Sequence, residues 1–231
     1  DNIGALIWSK SMEMNDMEKP DFLKNAMRNL SIPVITMEKY GFDCPGVDIL
    51  FDYEKGGYMA TRHLIECGHR RIGCVAGKQS FHVTMQRLNG YKKALEESGI
   101  SYDPDLVYFG DYTMESGYEA FSYILGQKVT AIFSMNDEMA FGIYRAARLY
   151  GVSIPEDISI IGFDNVPFAD VMQVPLTTIG VPVIEMGKKL GEKVVDLIDN
   201  KEKLKEREEI LYTPRLLVRG STKSIPPVTV I

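Results

Sequence analysis

The chain has 231 residues, 45% of them hydrophobic and 25% charged, with 26 Lys and Arg against 32 Asp and Glu and a formal net charge of -6. That length excludes a disulfide-stapled mini-protein and accommodates one large domain or two modest ones. The acidic balance, with no Lys/Arg block free of acidic neighbours, makes direct contact with nucleic acid unfavourable for this polypeptide unless a basic patch is assembled in three dimensions.

In chain order, Ile3 to Trp8, Pro33 to Met37, Arg71 to Ala76, Ala131 to Ser134 and Ser159 to Phe163 read as strands, short and rich in Ile and Val. They lack polar alternation, which predicts sheets covered by helices on both faces. Between and after them, Gly57 to Cys67, Gln86 to Ser98, Met114 to Leu125, Asp137 to Tyr150 and Ile184 to Asn200 read as amphipathic helices. Gly68, Gly99 and Gly151 each follow such a stretch, where a left-handed residue ends a helix. Leu211 to Val218 reads as a late strand, and the Lys/Glu run Lys201 to Glu209 as a solvated turn or helix end. Alternating strand and helix predicts an open, doubly wound α/β fold in two units. Ligands of such sheets sit beyond the carboxyl ends of the strands, which selects Trp8, Ser9, Lys10, Glu38, Asn136, Asp137, Asp164 and Asn165.

Three cysteines, Cys44, Cys67 and Cys74, form an odd and sparse set that fits a reducing compartment. No apolar run approaches the roughly 18 residues needed to cross a bilayer, and no basic, signal-like segment opens the chain, so a cytoplasmic address is expected and a membrane partner is not. No G-x-G-x-x-G, Walker, G-x-S-x-G or H-E-x-x-H pattern is present, so neither an enzyme nor a cofactor is expected. His63, Cys67, His69 and Cys74 cluster in sequence, but Cys67 would end a helix and Cys74 lie inside an apolar strand, which favours a core cysteine and surface histidines over a zinc site. Asp137 is expected to cap its helix.

Several motifs occur in an order that resembles the effector domain of LacI/GalR-type regulators. They are Asp52 to Thr61 followed by His63-Leu64-Ile65 and Gly68 to Ile72, then Arg87-Leu88-Asn89-Gly90-Tyr91, Asn136 to Ala140, Pro155 to Asn165, and Pro175 to Ile179. The resemblance covers essentially the whole chain. It implies two Rossmann-like α/β/α subdomains of the periplasmic-binding-protein-like type, with residues 1–67 and 183–208 in one and 68–182 and 209–231 in the other. It also implies a homodimer, a small-molecule effector in the cleft, and operator DNA bound through an N-terminal head. That head and two strand-helix units of the first subdomain are expected before Asp1 and are absent from this sequence.

By the same resemblance, Arg87, Asn136 and Asp164 match positions that hold the effector, and Tyr112 matches an aromatic position packed against it. The chemistry suits a polyhydroxylated ligand, a mono- or disaccharide. An ionised Asp164 accepts two hydroxyls, Asn136 offers donor and acceptor, Arg87 supplies a fork of donors, and the Tyr112 ring faces sugar C–H groups. Lys55 stands where the lactose-repressor pattern has an acidic ligand, and the stretch Asp52 to Gly57, with Ser9-Lys10-Ser11 after the first strand, is more similar to arabinose repressors, which carry a GntR-type head. Both lysines are candidates for the site. The resemblance also extends to relatives that bind purines, phosphorylated sugars or a phosphoprotein. A periplasmic sugar-binding protein for uptake shares the fold and is the competing expectation.

Overall fold

The computed structural model describes residues 3–9, 25–27, 30, 32–39, 44–200 and 207–226. The chain divides into two compact units. The first comprises residues 1–52, 80–82 and 182–213; the second comprises 53–79, 83–181 and 214–231.

The first unit is built on a four-stranded parallel sheet, β1 (Leu6–Trp8), β2 (Val34–Thr36), β3 (Gly46–Phe51) and β9 (Arg207–Tyr212), in the order β1-β2-β3-β9. β2 is wholly buried and β3 nearly so, as continuous apolar runs require. β1 departs from the expectation of two covered faces, since Ile7 is half exposed, and β9 has no fully buried residue. A buried ion pair ties the sheet together. The Arg207 guanidinium forks onto Asp48, with Nη2–Oδ1 at 2.6 Å and Nε–Oδ2 at 2.8 Å, and also donates to the Cys44 carbonyl at 3.2 Å. Asp48 accepts a further short hydrogen bond from the Thr36 hydroxyl.

The second unit holds a six-stranded sheet in the order β10-β8-β7-β6-β4-β5. β4 (Ile72–Ala76), β5 (Val107–Phe109), β6 (Ala131–Ser134), β7 (Ser159–Asp164) and β8 (Thr177–Gly180) run parallel, and β10 (Arg215–Leu217) is antiparallel to β8. Its helices are α1 (Tyr53–Glu66), α2 (His82–Glu97), α3 (Met114–Gly126), α4 (Asp137–Tyr150) and the short α5 (Phe168–Val171); α6 (Val183–Asp199) belongs to the first unit. Phe133, Ile132, Ile160, Ile161, Phe163 and Phe121 form the centre of the core, each fully buried.

Two helix pairs pack at backbone contact through glycines. A Cβ on Gly57 would lie 2.2 Å from the Arg87 carbonyl oxygen, and one on Gly90 2.0 Å from that of Glu54, so α1 and α2 cross where neither can carry a side chain. α3 and α4 repeat the device, with Gly117 against the Met139 carbonyl and Gly142 against that of Met114. The motifs around Gly57 and Gly90 are therefore two halves of one helix crossing.

The boundaries expected at 67/68 and 208/209 differ from this division. α1 packs on β7 and β8 of the second sheet, so the first passage falls before Tyr53. The late strand is two strands separated by Thr213 and Pro214, with β9 completing the first sheet beside β3 and β10 lying beside β8. Arg207, Glu208 and Glu209, read as part of a solvated run, start β9, and Arg207 is largely buried; residues 201–206 lie outside the described residues. The glycines at 68, 99 and 151 adopt φ of +96°, +67° and +68°, as their place after a helix requires. Among the described residues, no helix is long and apolar enough to cross a membrane.

Candidate functional site

In the second unit the strand order reverses between β4 and β6, because β5 lies on one side of β4 and β6 to β8 on the other. The crevice beyond the carboxyl ends of strands at such a switch point is where open α/β sheets place ligands. Gly77 follows β4, Tyr112 follows β5, Asn136 follows β6, and Asp164 ends β7.

Arg87, on the second turn of α2, is the centre of this end of the sheet and only 6% exposed. One arm, Nη1, donates a short hydrogen bond to the Met135 carbonyl; the other, Nη2, lies 3.4 Å from Asp164 Oδ1. Nε, also buried, has no hydrogen-bond partner among the described residues. Three rings surround the guanidinium, with its carbon 3.9 Å from the Phe163 centroid, 5.0 Å from Tyr53 and 5.8 Å from Tyr112. Desolvating a cation is costly, and ring quadrupoles return part of that cost. The Tyr112 hydroxyl pairs with Thr84 at 2.7 Å, and its ring covers Gly77 so closely that a Cβ there would lie 2.0 Å from it.

Asp164 is one-third exposed at its side chain. Burial raises its carboxyl above the usual range, and the Arg87 charge and hydrogen bond oppose that rise. Its backbone has φ of +112°, and Asn165 follows at +61°, two successive values that side-chain-bearing residues rarely adopt.

Asn136 has a different role from the one its type suggested. Its Oδ1 accepts from the Met139 amide at 2.9 Å, capping α4, and its Nδ2 donates to the Tyr112 carbonyl at 2.9 Å. Asp137, expected as that cap, is instead the first helical residue, with no exposed surface. Its Oδ1 accepts from the Thr178 hydroxyl at 2.6 Å and its Oδ2 from the Val166 amide at 2.9 Å. The cap goes to Asn136 because its extended backbone directs the side chain back to the third amide, whereas Asp137 already has helical geometry.

Lys55 is exposed on the first turn of α1, two residues after the Tyr53 ring that covers Arg87. Lys10 lies outside the described residues. The structure thus brings together Arg87, Asp164 and Tyr112, and places Asn136 beside them as the support of Tyr112. It adds Tyr53 and Phe163, which sequence reasoning missed because an aromatic residue at a strand or helix end reads as core.

His69 is buried rather than at the surface. Its Nδ1 lies 2.9 Å from the Thr130 hydroxyl, and its Nε2 3.0 Å from Ser159 and 3.2 Å from the Lys223 carbonyl, joining strand starts to the C-terminal segment. Among the described residues no group of His, Cys, Asp or Glu could hold a metal ion.

A second feature of this unit is a groove of about 770 Å³ along α4 and α5, lined among others by Met114, Phe141, Tyr144, Phe168, Met172 and Val174. Phe168 is 58% exposed and meets Phe141 edge-to-face at 5.3 Å.

Residues 61–222 match the family described as a periplasmic binding protein-like domain. A regulatory protein of the LacI family from Chloroflexus aggregans is 30% identical, superposes with a TM-score of 0.79, and is matched over 96% of this chain and 77% of that one. The chain belongs to the LacI/GalR family of effector-binding domains. The structure of the transcriptional regulator CelR in complex with cellobiose is 31% identical with a TM-score of 0.80, covering 95% of this chain and 66% of that one. The HTH-type transcriptional repressor PurR of Photobacterium profundum is 36% identical over 208 residues, 89% of this chain and 61% of its own length. The chain therefore spans about three-fifths of that curated relative.

Proposed function

We propose that this effector domain senses a small polyhydroxylated molecule, a mono- or disaccharide, within a cytoplasmic transcriptional repressor. The observation that carries the reading is the Arg87–Asp164 pair at the strand ends, a buried cation whose Nε has no partner among the described residues, beside a partly exposed carboxylate and walled by Tyr53, Phe163 and Tyr112. A carboxylate accepts two adjacent hydroxyls, guanidinium N–H groups donate to ring or hydroxyl oxygens, and aromatic faces take the C–H side of a sugar. Similarity to a cellobiose-bound regulator supports a sugar, and similarity to named repressors supports regulation over uptake. The role is recognition and not turnover.

Control of operator DNA belongs to the parent protein, through a DNA-binding head outside this chain. An effector alters operator affinity only by its differential affinity for two conformations of that protein, with couplings typically of 1–3 kcal/mol. A homodimer provides the two heads that a two-fold operator needs, and the groove along α4 and α5, apolar around Phe141 and Phe168 with Arg145, Arg148 and Glu156 also lining it, is the surface we assign to it.

Calorimetric titration of the chain with cellobiose, ribose and other pentoses and hexoses tests the sensing role. Saturable binding that is lost in Asp164→Ala supports it; silence to every sugar, or binding indifferent to that substitution, overturns it. Sedimentation of the wild type and of Phe168→Glu tests the dimer: a dimer dissociated by the substitution is expected, and a wild-type monomer at micromolar concentration rejects it.

A further inference from the structure

The turn that carries Asp164 is fastened from beneath by an acid with no exposed surface. Consecutive positive φ angles at Asp164 and Asn165 persist only when surrounding bonds over-determine them. Four such bonds are present. Val166 donates its amide to Asp137 Oδ2 at 2.9 Å, the Thr178 hydroxyl on β8 donates to Asp137 Oδ1 at 2.6 Å, Arg219 Nη2 donates to Asn165 Oδ1 at 2.7 Å, and the Val181 amide donates to the Asp164 carbonyl at 3.2 Å. Asp137 connects three elements, since it starts α4, takes the amide just past β7 and takes a hydroxyl from β8. Position 162 on β7 is kept clear for it: a Cβ on Gly162 would lie 2.2 Å from Asp137 Oδ1.

Capping does not explain this carboxylate, because Asn136 caps α4. Nor does solubility, because the group has no exposed surface. Burying a carboxylate costs heavily unless donors converge on it. Here they converge from the turn and from the strand beside it. We infer that Asp137 is a positioning residue for effector recognition: it sets the Asp164–Asn165 turn, and with it the direction in which the Asp164 carboxylate faces Arg87, while Arg219 is the second fastener of the same turn. The inference rests on the reading that Arg87 and Asp164 hold the effector, but its first consequence is measurable without any effector.

The test compares wild-type chain with Asp137→Asn and Asp137→Ala by NMR and calorimetry. The amide variant keeps an oxygen for Val166 and can give its NH2 to the Thr178 oxygen, so it should hold the turn as wild type does, with wild-type amide exchange at Val166 and Asn165. Asp137→Ala removes both acceptors. Amide exchange at Val166 and Asn165 should then accelerate about tenfold or more, as loss of one buried hydrogen bond predicts, with Ile132 and Phe133 on β6 unchanged. Both variants remove the Asp137 charge, which Asp164 feels, so they are compared with each other: the carboxyl carbon of Asp164 should titrate at a different midpoint in Asp137→Ala than in Asp137→Asn. Affinity for cellobiose should fall about tenfold or more in the alanine variant and stay within about threefold of wild type in the asparagine variant.

Unchanged exchange at Val166 and an Asp164 midpoint equal to that of Asp137→Asn in a folded Asp137→Ala overturn the positioning role, and so does wild-type cellobiose affinity in that variant. If wild-type chain binds no sugar, the sensing role fails, and the exchange and titration data alone decide whether Asp137 positions Asp164. If Asp137→Ala does not fold, Thr178→Val, near-isosteric and lacking the hydroxyl, carries the same measurement with an expected acceleration of about threefold at Val166. No change there rejects the inference.

Discussion

Arg87 and Asp164 are unequal partners: the cation is held by the Met135 carbonyl and three rings, while the carboxylate touches it at 3.4 Å from a side chain that is one-third open to solvent. The arginine is therefore part of the unit's interior and the aspartate is the member free to exchange partners. Asp164→Ala should remove about 2 kcal/mol or more of effector binding, the scale of a charged hydrogen-bond partner, with about 1 kcal/mol or less of folding stability lost. Calorimetry with cellobiose and a urea titration separate the two quantities.

Arg87→Ala should behave differently. Removing a buried guanidinium opens a void among Phe163, Tyr53 and Tyr112 and frees the Met135 carbonyl, so the variant should lose about 3 kcal/mol or more of folding stability. In Arg87→Met, which fills more of that space, the Asp164 carboxyl should titrate higher than in wild type, because the guanidinium is what opposes its upward shift. Carbon-13 titration of Asp164 checks the sign.

Asp137 gives stability a pH signature. Burial pushes its carboxyl up to about 6, with Thr178, Val166 and Asn165 opposing and Asp164 adding to the rise; Tyr144, on the same helix, feels its charge in turn. An acid raised from about 3.9 when unfolded contributes most below that pH, and its contribution falls as pH climbs through about 6. The loss amounts to about 3 kcal/mol, two units at 1.36 kcal/mol each. His69, held neutral by burial, slopes the other way: its contribution is present above about 6.5 and declines as pH falls through its lowered midpoint. The stability difference between wild type and Asp137→Asn, measured by denaturant titration from pH 4 to 7, isolates the acid. It should change by about 2 kcal/mol over that window, since the unfolded acid is already half ionised at pH 4, with wild type losing ground as pH rises.

In the first unit, Arg207→Ala leaves Asp48 as a buried carboxylate beside Thr36 with its fork removed. Breaking such a pair from one side costs about 3–5 kcal/mol. Amide exchange in β2 and β3 should report the loss, while β6 and β7 of the second unit keep their protection.

Gly142→Ala probes the α3–α4 crossing. The added methyl would meet the Met114 carbonyl at 1.9 Å, a backbone atom that cannot rotate aside, so the helices must separate. A cost of about 1–3 kcal/mol is the ordinary range for overpacking and forms the lower bound here. Thermal melts of the variant beside Gly126→Ala, where nothing lies within 4 Å, separate crowding from helix propensity.

Much of this was legible from residue order. The apolar runs at β4, β6 and β7, the helices that follow them and the glycines that end α1, α2 and α4 all obey local rules, and the polar residues at strand ends are what made this end of the sheet the candidate site. β3, β5 and β8 escaped: Asp48 interrupts the apolar run of Gly46–Phe51, Val107–Phe109 is three residues long, and Thr177–Gly180 opens on two threonines and ends on a glycine. The unit boundaries escaped because they depend on which sheet α1 and β9 join, a matter of packing between distant residues. The cap expected at Asp137 fell to Asn136 for the same reason: either type can cap, and only the backbone angle at each position assigns the task. The aromatic wall around Arg87 was hidden because Phe163 sits in a run whose other members are core.

Gly162 and Asp137 occupy one space between them. A residue with any side chain at 162 displaces the carboxylate, and a smaller residue at 137 leaves the glycine facing a void. Neither site can change volume alone, so a library that randomises position 162 in the wild-type background should return glycine almost exclusively. One that randomises both positions should recover new pairs, with volume passing from one residue to the other. The ligand-facing turn above them is thus inherited through two positions that never meet an effector.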